Sequence, residues 1–122
     1  MKEEKTALIT GGAKRLGRSI SRELASAGYN VIIHYNSSES DALSLRKELL
    51  EFDVDVFLLQ SDLLNDNETL SLFDKCKQLI NRPVNLLINN ASIFEYDNIK
   101  TATLESWNRH QKSNLQAPFF LT

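Results

Sequence analysis

Residues Thr10 to Gly17 read Thr-Gly-Gly-Ala-Lys-Arg-Leu-Gly, which are residue types and spacings suited to holding an anion. A glycine at 11 permits a tight turn, and a glycine at 17 lets a following helix pack close to its neighbours. A loop of this kind, set between a strand and a helix, points backbone N–H groups and the positive end of the helix dipole at one spot. In that context the anion is the pyrophosphate of a dinucleotide. Gly11, Lys14, Arg15, Leu16 and Gly17 are therefore candidate cofactor-binding residues. A second group, His34-Tyr35-Asn36-Ser37-Ser38, lies about 20 residues further on. A site that prefers NAD usually places a carboxylate there for the ribose 2′-hydroxyl. None is present in this segment, so nothing repels a 2′-phosphate. Lys14 and Arg15 supply positive charge, and Asn36, Ser37 and Ser38 supply neutral donors, which favours NADPH. His34 is expected at the cofactor rim. A third group, Asn89-Asn90-Ala91-Ser92, is small and polar enough to let a ligand approach the backbone. Two residues beyond Ser92, Phe94 can stack on a flat heterocycle or pack into the core.

Placing these groups requires strands and helices in alternation. Short apolar runs at 6–10, 31–35, 54–60 and 84–89 predict strands buried on both faces. Leu16, Ile20, Leu24 and Ala27 predict a helix ended by Gly28. Ala42, Leu45 and Leu49 predict a second, with Ser37 and Ser38 also serving as candidate caps. Leu70, Phe73, Lys77 and Ile80 predict a third, capped by Asp66 or Asn67 and followed by Pro83. A fourth starts near Thr103 and runs towards Asn114. Within it Trp107 is expected in the core, Ser113 on the helix surface and His110 facing solvent. The alternation implies an α/β fold: a Rossmann-type doubly wound parallel sheet with strand order 3-2-1-4. Each ligand group then falls at the carboxyl end of a strand.

The chain has 122 residues, a formal net charge of -2, 42% hydrophobic and 25% charged residues. This suits one globular domain and argues against disorder. No basic excess is available for a nucleic-acid backbone or an anionic membrane surface. The single cysteine, Cys76, cannot form an internal disulfide, and no cluster has metal-ligand spacing. With neither a signal peptide nor a membrane-length apolar run, the expected setting is cytoplasmic. The apolar run at 84–89 would form an unprotected sheet edge, and the last residues are hydrophobic. The expectation is that residues 1–122 are the N-terminal part of a longer chain, or an incomplete record of one.

The loop Thr-Gly-x-x-x-Arg-x-Gly resembles the Thr-Gly-x-x-x-Gly-x-Gly loop of the short-chain dehydrogenase/reductase family, with Arg15 in place of the middle glycine. Taken with residues 10–20, the His34–Ser38 segment and Asn89-Asn-Ala-Ser-Ile-Phe94 resemble the pteridine reductase branch of that family. The resemblance implies an NADPH-dependent reductase that transfers a hydride to a pterin or dihydrofolate-like substrate. Arg15 and residues 36–38 would hold the 2′-phosphate, although relatives often carry arginine where this chain has Ser37. Asp62 and Leu63 would meet the adenine ring, with Asp62 equally able to cap a turn. Asn90, Ala91 and Ser92 would line the nicotinamide side, and Ser92 and Phe94 would hold the substrate. Asn114 matches the family's catalytic asparagine, which holds a water in a proton relay and stabilises a helix bend. The family's catalytic Ser or Asp and its Tyr-x-x-x-Lys lie after the next strand, beyond Thr122, so this piece alone is expected to be inactive. Tyr96 and Lys100 share that spacing but follow the fourth strand directly and are read as coincidental. Family members are usually tetramers, implying a homotetramer. The alternatives are a 3-oxoacyl-carrier-protein or other carbonyl reductase, and a non-catalytic nucleotide-binding module.

Overall fold

A computed structural model describes residues 4–122. Four parallel strands, β1 (Thr6–Ile9), β2 (Asn30–Tyr35), β3 (Val56–Gln60) and β4 (Leu86–Ile88), form one sheet in the order β3-β2-β1-β4. This is the expected 3-2-1-4 order. Helices α1 (Arg15–Ser26), α2 (Glu39–Leu49), α3 (Asp66–Leu70), α4 (Leu72–Ile80), α5 (Leu104–Gln111) and α6 (Ala117–Leu121) alternate with the strands or follow them. A π-helical turn, Lys112–Gln116, joins α5 to α6.

Successive strand residues point to opposite faces, and both faces are covered. Ala7, Ile9, Val31 and Ile33 pack with Ala25 of α1 and with Ala42, Leu45 and Leu49 of α2. Leu8, Ile32 and Leu59 pack on the other side with Leu72, Cys76 and Ile80 of α4 and Ala117 and Leu121 of α6. The central strands are therefore buried on both faces rather than alternating, with polar residues only at Thr6, Asn30 and His34.

Several helix faces differ from the sequence expectation. In α1 the buried residues are Gly17, Ser21 and Ala25, with Ile20 and Leu24 flanking them and Leu16 exposed. Small residues form the contact ridge because α1 lies close against the loop after β1, where the Ser21 hydroxyl donates to the Gly12 carbonyl at 3.1 Å. The third predicted helix is two, α3 and α4, meeting at Ser71. Its inward stripe is Thr69, Leu72, Cys76 and Ile80, so Leu70 and Phe73 face out. Asn65, not Asp66 or Asn67, supplies the cap, accepting from the Glu68 amide. Ser38 stands at the N-cap of α2 but makes no side-chain capping bond. Thr103 caps α5 in a reciprocal pair with Ser106. In α5 and the turn after it, Trp107 is 62% exposed while Ser113 is buried, the reverse of expectation. Ser106 and His110 bond to the segment before α5, and this fixes the rotation of the helix and turns Trp107 outwards.

Candidate functional site

The carboxyl ends of β1, β2 and β4 and the start of α1 surround a cleft of about 610 Å³. Its construction begins with Gly11, whose φ of +60° is left-handed backbone that favours glycine. The turn it makes brings α1 back over the loop. At Gly17 an added Cβ would lie 2.0 Å from the Gly11 carbonyl oxygen and 2.6 Å from Asn90 Nδ2, so only a hydrogen fits. Thr10 joins the two strand ends. Its hydroxyl accepts from the Asn90 and Ala91 amides at 3.0 and 2.9 Å and donates to the Ile88 carbonyl at 3.3 Å. Asn90 Nδ2 donates in turn to the Thr10 and Gly11 carbonyls at 3.1 and 3.0 Å. The glycine loop and the β4 terminus thus form one hydrogen-bonded unit.

The N-terminus of α1 opens into this unit. Lys14 is the N-cap of α1 and makes no side-chain capping bond, so the first-turn N–H groups keep their donor capacity. A phosphate at this position would satisfy them and meet the positive dipole end. Arg15, exposed at the mouth, has a φ of +52°. A non-glycine residue there is strained by roughly 1–2 kcal/mol. It stands where the family loop has glycine, and it forms no ion pair among the described residues. Lys14 lies 3.7 Å from Asp41, an exposed contact worth little.

His34 lies beneath the loop rather than at its rim. It is buried, with Nδ1 accepting from the Gly11 amide at 3.0 Å. That contact fixes the tautomer, so Nε2–H donates to the Ser61 carbonyl at 2.8 Å. Desolvation lowers its pKa from the ordinary 6.5, opposed in part by the Ser61 bond. A neutral imidazole therefore ties the loop after β1 to the end of β3. Asp62 is the turn cap that its sequence position allowed, Oδ1 accepting from the Leu64 amide at 2.9 Å while the residue still borders the cleft.

Of the residues expected at the cofactor, Gly11, Lys14, Arg15, Leu16, Gly17, His34, Asn36, Ser38, Asp62, Leu63, Asn90, Ala91 and Ser92 line this one cleft. Ser37 does not. Ala13, Tyr35, Leu64, Ile93 and Ser113 also line it, outside the residues the sequence singles out. Ser113 carried a helix-surface pattern, and only the hydrogen bonds that rotate α5 reveal its position. Phe94 is 86% exposed, which excludes core packing. Asn114 lies in the π-helical turn, so the expected irregularity in the helix is present. Its amide is bonded to one residue, Oδ1 accepting from the Ile93 amide at 2.9 Å and Nδ2 donating to the Ile93 carbonyl at 3.0 Å. Tyr96 and Lys100 are both exposed and share no hydrogen bond. Among the described residues no group of His, Cys, Asp or Glu could hold a metal ion, and no helix is long and apolar enough to cross a membrane.

The short chain dehydrogenase family model matches residues 5–122. The chain belongs to this family. It is similar to the 3-oxoacyl-[acyl-carrier-protein] reductase FabG of Staphylococcus aureus, 30% identical over 121 residues, covering 98% of this chain and 48% of that protein. The crystal structure of FolM alternative dihydrofolate reductase 1 from Brucella canis complexed with NADP has a TM-score of 0.87 and 32% identity, covering 96% of this chain and 47% of that one. A blue fluorescent protein from a metagenomic library, crystallised in complex with NADPH, gives the same TM-score at 29% identity, covering 95% and 47%. The chain spans about half the length of each of these relatives.

Proposed function

We propose that the chain is the NADP-binding part of an NADPH-dependent reductase of this family, acting on a pterin or dihydrofolate-like substrate. The observation that carries the cofactor reading is the pairing of an uncapped α1 N-terminus with Arg15, Asn36 and Ser38 around one cleft whose β2 end bears no carboxylate. The glycine cradle fits a dinucleotide because a Cβ at Gly17 would occupy the ground between loop and helix. The first-turn amides of α1 would hold the pyrophosphate, Arg15 with Asn36 and Ser38 the 2′-phosphate, and Asp62 and Leu63 the adenine side. Asn90, Ala91 and Ser92 would border the nicotinamide. When bound, NADPH supplies a hydride from its nicotinamide C4. The chain's residues align the two rings and exclude water, Ser92 by its hydroxyl and Phe94 by stacking. Asn114 would steady the Ser92–Phe94 segment through Ile93, and the family resemblance implies that it holds a water for proton delivery.

The likeness to the Brucella FolM structure and the Ser92–Phe94 pair support the pterin or folate reading. The likeness to FabG supports a second reading, a 3-oxoacyl thioester as substrate. Exposed Trp107, Phe119 and Phe120 on α5 and α6 offer apolar surface for association, and the homotetramer is what the family resemblance implies. NADPH oxidation by the full-length protein, measured with dihydrobiopterin, with an acetoacetyl thioester and with neither substrate, separates the readings. Turnover of the first alone supports the proposal, turnover of the second alone supports the carbonyl reductase, and binding of NADPH with no turnover supports a nucleotide-binding module.

A further inference from the structure

Between β4 and α5 the chain runs from Ser92 to Thr103 without regular secondary structure, yet its first residues alternate strictly. Ile93, Glu95 and Asp97 are half-buried, and Ser92, Phe94 and Tyr96 are exposed. The three inward residues are each held by side chains from α5 or the turn after it. Asn114 bonds both backbone groups of Ile93. His110 Nε2 accepts from the Glu95 amide at 3.0 Å, and its Nδ1–H donates to the Ser106 carbonyl at 2.7 Å. The Arg109 guanidinium donates twice to the Glu95 carboxylate, at 2.7 and 2.6 Å, and holds that carboxyl below its usual range. The Ser106 hydroxyl donates to Asp97 at 2.6 Å.

The two spacings match. Residues 106, 110 and 114 are four apart, about 6 Å of helix at ~1.5 Å per residue. Residues 97, 95 and 93 are two apart, about 6.6 Å of extended chain at ~3.3 Å per residue. Because the segment runs antiparallel to the helix, one helical turn meets each second residue. The alternate residues must then face away from α5, on the side that carries Ser92 and Phe94.

We propose that His110 and Arg109 are positioning residues, which through Glu95 hold the 92–97 segment extended and so present Ser92, Phe94 and Tyr96 as one face towards the substrate. This rests on the reading that Ser92 and Phe94 meet the substrate. It adds Tyr96 to that face and gives two helix residues, neither of which lines the cleft, a part in substrate affinity.

The test uses the purified full-length protein carrying His110→Ala, His110→Gln or Phe94→Ala. Glutamine can offer an oxygen where the imidazole offered Nε2. Three readouts are taken: amide hydrogen exchange over residues 92–97, affinity for NADPH, and KM for dihydrobiopterin. His110→Ala is expected to speed exchange in that segment at least ~tenfold, as loss of a side-chain clamp does. It should raise the KM several-fold and leave NADPH affinity within about twofold, and His110→Gln should recover much of both losses. Unchanged exchange in His110→Ala overturns the proposal. So does faster exchange with unchanged KM when Phe94→Ala raises it. If Phe94→Ala also leaves the KM unchanged, or dihydrobiopterin is not turned over, the substrate reading fails, and exchange alone then decides whether His110 holds the segment.

Discussion

Gly17→Ala places the smallest side chain at the tightest point of the structure. The new Cβ would meet the Gly11 carbonyl oxygen at 2.0 Å and Asn90 Nδ2 at 2.6 Å, both far inside contact distance. Both partners are rigid, one being backbone and the other an amide already bonded to Thr10 and Gly11. Relief therefore requires α1 to retreat by more than an ångström. Overpacking of this kind costs about 1–3 kcal/mol, and loss of the Asn90–Gly11 bond adds about 1 kcal/mol. The retreat also moves the first-turn amides of α1 away from the anion position, so binding suffers beyond stability. At about 1.4 kcal/mol per tenfold, NADPH affinity should fall at least ~tenfold to a hundredfold. Gly28→Ala is the matched control. Gly28 has a φ of +94° at the far end of α1, so alanine there is strained but distant from the cleft. Both variants should lower Tm, and only Gly17→Ala should lose NADPH in a calorimetric titration. A Gly17→Ala protein that binds NADPH within about threefold of the parent would refute the cradle.

Arg15→Ala should weaken NADPH binding ~tenfold or more while barely changing that of NADH, because a charged hydrogen bond to phosphate is worth about 1.5–3 kcal/mol. Equal changes would refute the assignment. Arg15→Gly should show the same loss of preference yet unfold later, since glycine relieves the left-handed φ of +52° at a net gain of about 0.5–1 kcal/mol; a lower Tm would contradict that. His34 is held neutral, its folded pKa below the ordinary 6.5. The unfolded chain therefore takes up a proton first as pH falls. Stability from this group is complete above about 6.5 and declines below it, down to the lower folded value. Denaturant titrations of the parent and His34→Gln across this window should show a smaller pH slope in the variant. Burial pushes the Cys76 thiol up to about 11, so native protein at pH 8 should resist alkylation until unfolded.

The strand order, the glycine loop and most of the cleft lining are legible because each rests on local chemistry: apolar runs, a left-handed glycine at 11, small residues after β4. The misread residues share a different cause. Leu16 and Leu70 were assigned inward because they are large, but close contact selected Gly17, Ser21 and Thr69 instead. Trp107, Ser113 and His110 were misplaced because the rotation of α5 is set by bonds to Glu95 and Asp97, not by apolar spacing. His34 was read as rim because nothing local to it shows that Gly11 and Ser61 enclose it. Contacts between side chains and distant backbone groups carry no periodic signal.

In the proposed cofactor site the turn from Gly11 to Gly17 grips a dinucleotide phosphate and Arg15 reads its 2′-phosphate. Calorimetric titration of the purified protein with NADPH and with NADH, at low and at high salt, tests it most directly. Saturable binding of both is expected, with NADPH tighter by at least ~tenfold and its advantage shrinking as salt screens the exposed guanidinium. No heat with NADPH, or equal affinities insensitive to salt, would contradict it.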